Sequence, residues 1–231
     1  MAPSSSGTCY NDCMYFHDRA QAGDQLADQL TQYRWDNTAV VALSPGGAVV
    51  GEQIARRLHS TLSMLMTSRI TAPGEASLVI GSMDQTGLFT YNSMISTGEM
   101  EEYMQDMRTY VEEEKLRQMY QMTTVIGENG MADPAQLEGR TVIIATDGVK
   151  NGLSFDAALN YLGRIHTERV IAAIPVGPAE VIERLNGLVD ELHYLYIPDS
   201  FFTVSHYFTD EEKIDSATIM DRINNVVTRW V

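Results

Sequence analysis

Short β-branched apolar runs alternate along this chain with stretches whose apolar residues recur at helical spacing. Thr38–Ser44 (TAVVALS), Thr141–Thr146 (TVIIAT), Arg169–Val176 (RVIAAIPV) and Glu191–Pro198 (ELHYLYIP) read as strands, the first as one buried on both faces. Leu62–Ser68 (LSMLMTS) reads as a further strand, and Ser77–Asp84 and Leu88–Asn92 as a hairpin around Gln85-Thr86-Gly87. Between the strands, His17–Tyr33 places Leu26, Leu30 and Tyr33 on one helical face behind an Asp18–Gln21 capping box. Ala48–His59, Phe155–Ile165 and Pro178–Leu188 read as helices. A long acidic helix over Thr97–Met122 carries Met100, Met104, Met107 and Val111 as an apolar stripe, with Tyr103 and Tyr110 beside it. A second capping box, Thr209 with Glu212, precedes a closing amphipathic helix with Ile219, Ile223, Val226 and Trp230. Strand–helix alternation of this kind predicts an open α/β fold with a mostly parallel sheet flanked by helices. Residues 1–231 are expected to form one domain, with 1–15 as a mobile tail and 97–137 as a variable helix-and-loop region.

Composition narrows the function classes. At 44% hydrophobic residues the chain can bury a substantial core, yet no apolar run approaches the roughly 18–20 residues that span a bilayer. The start, MAPSSSGTCYNDC, has neither a basic segment nor an apolar signal core, and two cysteines make no disulfide framework; both fit a cytoplasmic setting. Thirty-one acidic against 16 basic side chains give a net charge of −15, which argues against nucleic acid and anionic membranes as partners. An anionic ligand must therefore find a locally favourable pocket, and backbone N–H groups at a helix start supply one.

Two strand ends carry glycine-rich turns that lead into helices: ALSPGGAVVGE from Ala42 and IATDGVKNGLSF from Ile144. In open α/β sheets ligands bind at such carboxyl ends. In the second turn Gly148 and Gly152 permit close backbone approach, and Ser154 can cap the helix or bond an anion. The N–H groups from Lys150 to Ser154 can point at a phosphate, and Lys150 adds a positive charge. Taken alone the turn is equally an ordinary β-loop-α junction, being neither a Walker loop nor a GxGxxG fingerprint.

The order of segments adds to this. FHDRAQAGDQLADQL, VALSPGGAVVGEQIARRL, SRITAPGEASLVIGSM, LEGRTVIIATDGVKNGLSFDAAL, RVIAAIPVGPAE and DSFFTVSHYF together resemble the type I phosphoribosyltransferase family, most of all its substrate-unassigned bacterial branch, over Phe16–Phe208. The resemblance implies a small hood beside the sheet, drawn from both chain ends and the Met-rich helix. It implies that Gly148, Val149, Lys150, Asn151, Gly152, Leu153 and Ser154 bind the 5′-phosphate of phosphoribosyl diphosphate and that Thr146 and Asp147 bind its ribose. Ser44, Pro45, Gly46 and Gly47 then form the diphosphate loop, with Arg69 as a cationic partner. Asp147 and Arg69 become the catalytic candidates, Asp18 and Arg19 match an Asp-Arg pair near the family's start, and Mg²⁺ is expected to arrive with the diphosphate rather than on protein ligands.

This chain departs from the family where the chemistry lies. Thr146 replaces the first of two adjacent acidic residues, which weakens a charge-assisted ribose contact by ~1.5–3 kcal/mol. Pro45 stands where the branch carries an arginine, and Ser68-Arg69 replaces an Arg-Lys pair. Removing one such clamp on departing charge commonly costs about 10²-fold in rate. The expected function is thus binding of phosphoribosyl diphosphate or a related ribose phosphate, with transfer to a nitrogenous base; the alternative is a non-catalytic ribose-phosphate or nucleotide-binding module. Cys9 and Cys13 read as ordinary thiols, and the five histidines form no metal-spaced motif. His206, Phe202 and Tyr207 lie where the family's segment approaches the base, although core packing is the commoner fate of such aromatics. The Met/Tyr stripe is expected to face the core or a homodimer partner.

Overall fold

The computed structural model describes residues 16–92, 94–126, 130–210 and 214–230. After helix α1 (Arg19–Gln29), a five-stranded parallel sheet is built from β1 (Thr38–Ala42), β2 (Thr61–Met64), β6 (Thr141–Ala145), β7 (Arg169–Val176) and β8 (Glu191–Tyr196), in the order β2-β1-β6-β7-β8. Between β2 and β6 the chain leaves this sheet. It forms a three-stranded antiparallel sheet from β3 (Thr67–Ala72), β4 (Glu75–Asp84) and β5 (Phe89–Tyr91), followed by the long helix α3 (Thr97–Ile126) and the short α4 (Pro134–Leu137). The connections of the parallel sheet are α2 (Pro45–Leu58), α5 (Leu153–Leu162) and α6 (Ala179–Asn186), and α7 (Ser216–Asn225) closes the chain.

The central strands are apolar on both faces because both faces are covered. Val40, Ala42, Ile143 and Ala145 pack with α1, α2 and α7, while Ala39, Val41, Val142 and Ile144 pack with α5 and α6. Burial of each large aliphatic side chain in these two layers contributes about 1.5–3 kcal/mol. The stripe on α3 has an intramolecular partner: Met100, Val111 and Met122 pack against Ile70, Ile80 and Met83 of the small sheet.

Several boundaries differ from the sequence expectations. Leu62–Ser68 is two strands in two sheets, divided where the N–H of Leu65 bonds the carbonyl of Ala42 and that of Met66 bonds Gln85 Oε1. The Pro-Gly-Gly segment is the first turn of α2 rather than a loop ahead of it, with Ser44 as the cap and Pro45 in the first turn, where a missing N–H costs nothing. The cap of α7 is Asp215, which accepts from the N–H of Thr218 at 2.8 Å; Thr209 instead bonds the carbonyl of His17, and Glu212 lies outside the described residues. The small second layer comes from the internal segment 67–126, although the two ends of the chain do meet where Phe16 pairs with Phe208. The Asp18–Gln21 cap is present: Asp18 accepts from the Gln21 N–H at 2.7 Å, and the Gln21 side chain returns to the N–H of His17 at 2.7 Å. Cys9 and Cys13, and the 1–15 segment as a whole, lie outside the described residues.

Candidate functional site

The strand order changes direction between β1 and β6: from β1 the chain moves outward to β2, and from β6 it moves outward the other way, to β7 and β8. A crevice at such a switch point is where open α/β sheets bind ligands. Register then decides which side chains meet. Ala42 pairs with Ala145, so Ser44 and Asp147, each two residues further on, emerge side by side. Ser44 Oγ accepts the Gly47 N–H at 2.8 Å and donates to Asp147 Oδ1 at 2.7 Å. The other oxygen of Asp147 accepts the Nε–H of Arg19 at 2.9 Å, and both side chains of this ion pair are 14% exposed. The arginine also lies over the Phe208 ring, 4.8 Å from its centroid.

The neighbouring turn, from Thr146 to Ser154, is shaped by its own contacts. The Thr146 hydroxyl is directed into the loop and donates to the Gly148 carbonyl at 3.0 Å. The N–H of Val149 bonds the Val176 carbonyl at 2.9 Å, tying the loop to β7. Asn151 Oδ1, not Ser154, accepts from the N–H of Leu153 at the helix start, at 3.3 Å. The N–H groups of Lys150, Asn151, Gly152 and Ser154 have no protein acceptor among the described residues. They surround the start of α5, where the helix dipole favours an anion. Lys150 is exposed beside them.

Two contacts behind this turn escape a reading of the sequence. Arg184 of α6 donates from Nη1 to Asp156 at 2.7 Å and from Nη2 to the Asn151 carbonyl at 3.2 Å. Its only sequence signal is a basic residue on an amphipathic helix, which is too common to single out. Ser82 of β4 donates to the Leu153 carbonyl at 3.2 Å, docking the small sheet on the start of α5. Arg69 is opposite Ser82 in the β3–β4 register, so it lies on the face of the small sheet that meets α5, and it has no ion-pair partner among the described residues. The structure thus brings Ser44, Gly46, Gly47 and Asp147 together and sets the 148–154 turn beside them.

In the segment after β8, Tyr207 is buried against Phe201, with ring centroids 5.5 Å apart, and belongs to the core, while Val204 lies against the turn at Gly148. Phe202 is 63% exposed, with its ring centroid 5.0 Å from that of His206. Among the described residues no group of three or more His, Cys, Asp or Glu side chains could hold a metal ion, and no helix is long and apolar enough to cross a membrane.

Comparison with known proteins agrees with this geometry. Residues 15–202 match the family described as the phosphoribosyl transferase domain. Two Mycobacterium tuberculosis proteins provisionally named phosphoribosyl transferases, from strains CDC 1551 / Oshkosh and ATCC 25618 / H37Rv, are each 27% identical over 211 residues. The match takes in 90% of this chain and 46% of each relative, so the chain spans about half of their length. The crystal structure of TT1426 from Thermus thermophilus superposes with a TM-score of 0.69 at 26% identity, covering 94% of this chain and all of that one. With a parallel sheet whose switch point presents two glycine turns, and a family match over most of its length, the chain belongs to the phosphoribosyltransferase family and has its type I fold.

Proposed function

We propose that the chain binds phosphoribosyl diphosphate at the β1/β6 switch point and transfers the phosphoribosyl group to a nitrogenous base. The observation that carries this reading is the row of N–H groups at Lys150, Asn151, Gly152 and Ser154 without protein acceptors among the described residues, next to the single carboxylate of Asp147. The 5′-phosphate takes the amides, Asp147 takes the ribose hydroxyls, and the diphosphate lies along Gly46 and Gly47 with Arg69 approaching from the small sheet. A ring nitrogen of the base forms the new bond to C1 as the C1–O bond breaks. The bonding pair leaves with the diphosphate, and the proton displaced from the nitrogen passes to solvent.

Mg²⁺ fits this site as a companion of the ligand. The described side chains here include no carboxylate cluster to hold it, and Mg²⁺ commonly binds through substrate phosphates while keeping several waters. Bound there, it would neutralise charge on the departing diphosphate.

A specific observation favours a second reading, a non-catalytic module that senses a ribose phosphate. The turn from Ser44 to Gly47 has no charged side chain, and both oxygens of Asp147 are already engaged by Ser44 and Arg19. Incubation with magnesium phosphoribosyl diphosphate and a panel of purine and pyrimidine bases separates the two. Base-dependent release of diphosphate supports the transferase, binding without release across the panel supports the module, and absence of binding overturns both.

A further inference from the structure

Building on the ligand reading above, we propose that Arg19 is a second cation of the diphosphate subsite beside Arg69, held on Asp147 until a diphosphate takes it over. The first turn of α2 has little to offer such a ligand by itself. Pro45 has no N–H, the N–H of Gly47 is spent on Ser44 Oγ, and none of the four residues from Ser44 to Gly47 is charged. Arg19 supplies what the turn lacks. A Cβ placed on Gly46 would stand 2.0 Å from Asp147 Oδ2 and 2.6 Å from Arg19 Nε, so the ion pair lies directly on that turn. Glycine at this position is what allows the approach.

The arginine side chain is 14% exposed, so only part of it borders open space. With Asp18, Ala20 and Asp210 it lines a cavity of about 290 Å³. Its Nε–H is committed to Asp147, while its Nη groups have no hydrogen-bond partner among the described residues. Phe208 supports the guanidinium from one side. Against one carboxylate the guanidinium makes a neutral pair; against a diphosphate it meets several negative charges and can bond two oxygens at once, which is the stronger arrangement. As Arg19 turns to the diphosphate, Asp147 Oδ2 is released to accept a ribose hydroxyl. One movement thereby completes both subsites. Asp18 and Asp210 on the cavity wall disfavour a bare anion, so the magnesium complex is the suitable probe.

Calorimetry with magnesium pyrophosphate and, separately, ribose 5-phosphate tests this on wild type, Arg19→Gln, Asp147→Asn and the double variant. Arg19→Gln is expected to weaken pyrophosphate binding by about tenfold to hundredfold, the scale of a charge-assisted contact, without weakening ribose 5-phosphate. Asp147→Asn is expected to tighten pyrophosphate binding in the wild-type background and not in the Arg19→Gln background, which simple removal of a repulsive carboxylate would not produce. Equal pyrophosphate affinity in wild type and Arg19→Gln, or an equal gain from Asp147→Asn in both backgrounds, overturns the assignment of Arg19 alone. A wild-type chain that binds neither ligand overturns the ligand reading itself. Should Arg19→Gln lose ribose 5-phosphate as well, Arg19→Lys decides: several-fold weaker pyrophosphate with ribose 5-phosphate retained supports the assignment, and unchanged pyrophosphate refutes it.

Discussion

A Cβ placed on Gly152 would stand 2.2 Å from Nη2 of Arg184, so the guanidinium occupies the space that any side chain at this position would fill. Gly152 also has φ +74, a left-handed conformation that costs a non-glycine residue about 1–2 kcal/mol. The arginine is in turn fixed by Asp156 and the Asn151 carbonyl, and holds the turn from behind. Gly152→Ala is therefore expected to lower stability by about 1–2 kcal/mol, measured by urea denaturation. Arg184→Ala is expected to weaken ribose 5-phosphate binding by about tenfold, through a loosened turn. Unchanged affinity in Arg184→Ala would show that the turn holds its shape without the arginine.

Pro45 is exposed in the first turn of α2, so a longer side chain there meets no packed neighbour. Pro45→Arg adds a cation to a turn that has none and is expected to tighten magnesium pyrophosphate binding by about tenfold. Calorimetry reads the change directly. Unchanged affinity would mean that diphosphate does not lie along this turn.

Much of this architecture is legible in the sequence because burial imposes a pattern. β1, β6 and β7 are β-branched runs covered on both faces, and no other element explains such runs. The two glycine turns are visible for the same reason, each standing where an apolar run stops. The division at Leu65-Met66 is hidden because no glycine or proline marks it; the break is made by bonds to Ala42 and Gln85, which are distant in sequence. Thr209 and Asp215 are comparable caps by local rules, and only packing of Ile219 and Ile223 on α2 and β2 selects the second. The Arg19–Asp147 and Arg184–Asp156 pairs span 128 and 28 residues, so nothing local could announce them.

Glu52 is a buried carboxylate on α2 that accepts from Arg222 and, at 2.8 Å, from Arg229, and Arg229 also binds Asp221 at 2.6 Å. This network fastens α7 and the segment after it to the α2 side of the sheet. Arg229 is 37% exposed and keeps Asp221, so Glu52→Ala is expected to lose about 1.5–3 kcal/mol, the scale of a charge-assisted hydrogen bond. A loss below ~1 kcal/mol in urea denaturation would show that the arginines find new partners in water.

The caps and ion pairs set an acid limit. The backbone N–H of Thr218 holds Asp215 below its ordinary value of 3.8, and the Gln21 N–H does the same for Asp18. Because the folded values are depressed, the stability they add is complete above the ordinary carboxylate range and is lost as pH falls through the lowered values. The stability difference between wild type and Asp215→Ala is expected to stay constant from pH 7 to about 5 and to shrink below about 4. A difference that grows on acidification would have the wrong sign. Comparing the two chains also cancels the general self-repulsion of a protein with net charge −15.

The most direct measurement is the backbone amide spectrum of the ¹⁵N-labelled chain during titration with ribose 5-phosphate. Large, saturable downfield shifts of the Lys150, Asn151, Gly152 and Ser154 amide protons are expected, as these groups donate to the phosphate, with little change at Val149, whose N–H is held by Val176. A spectrum in which those four amides stay in place at saturating ligand would contradict the phosphate turn and the function built on it.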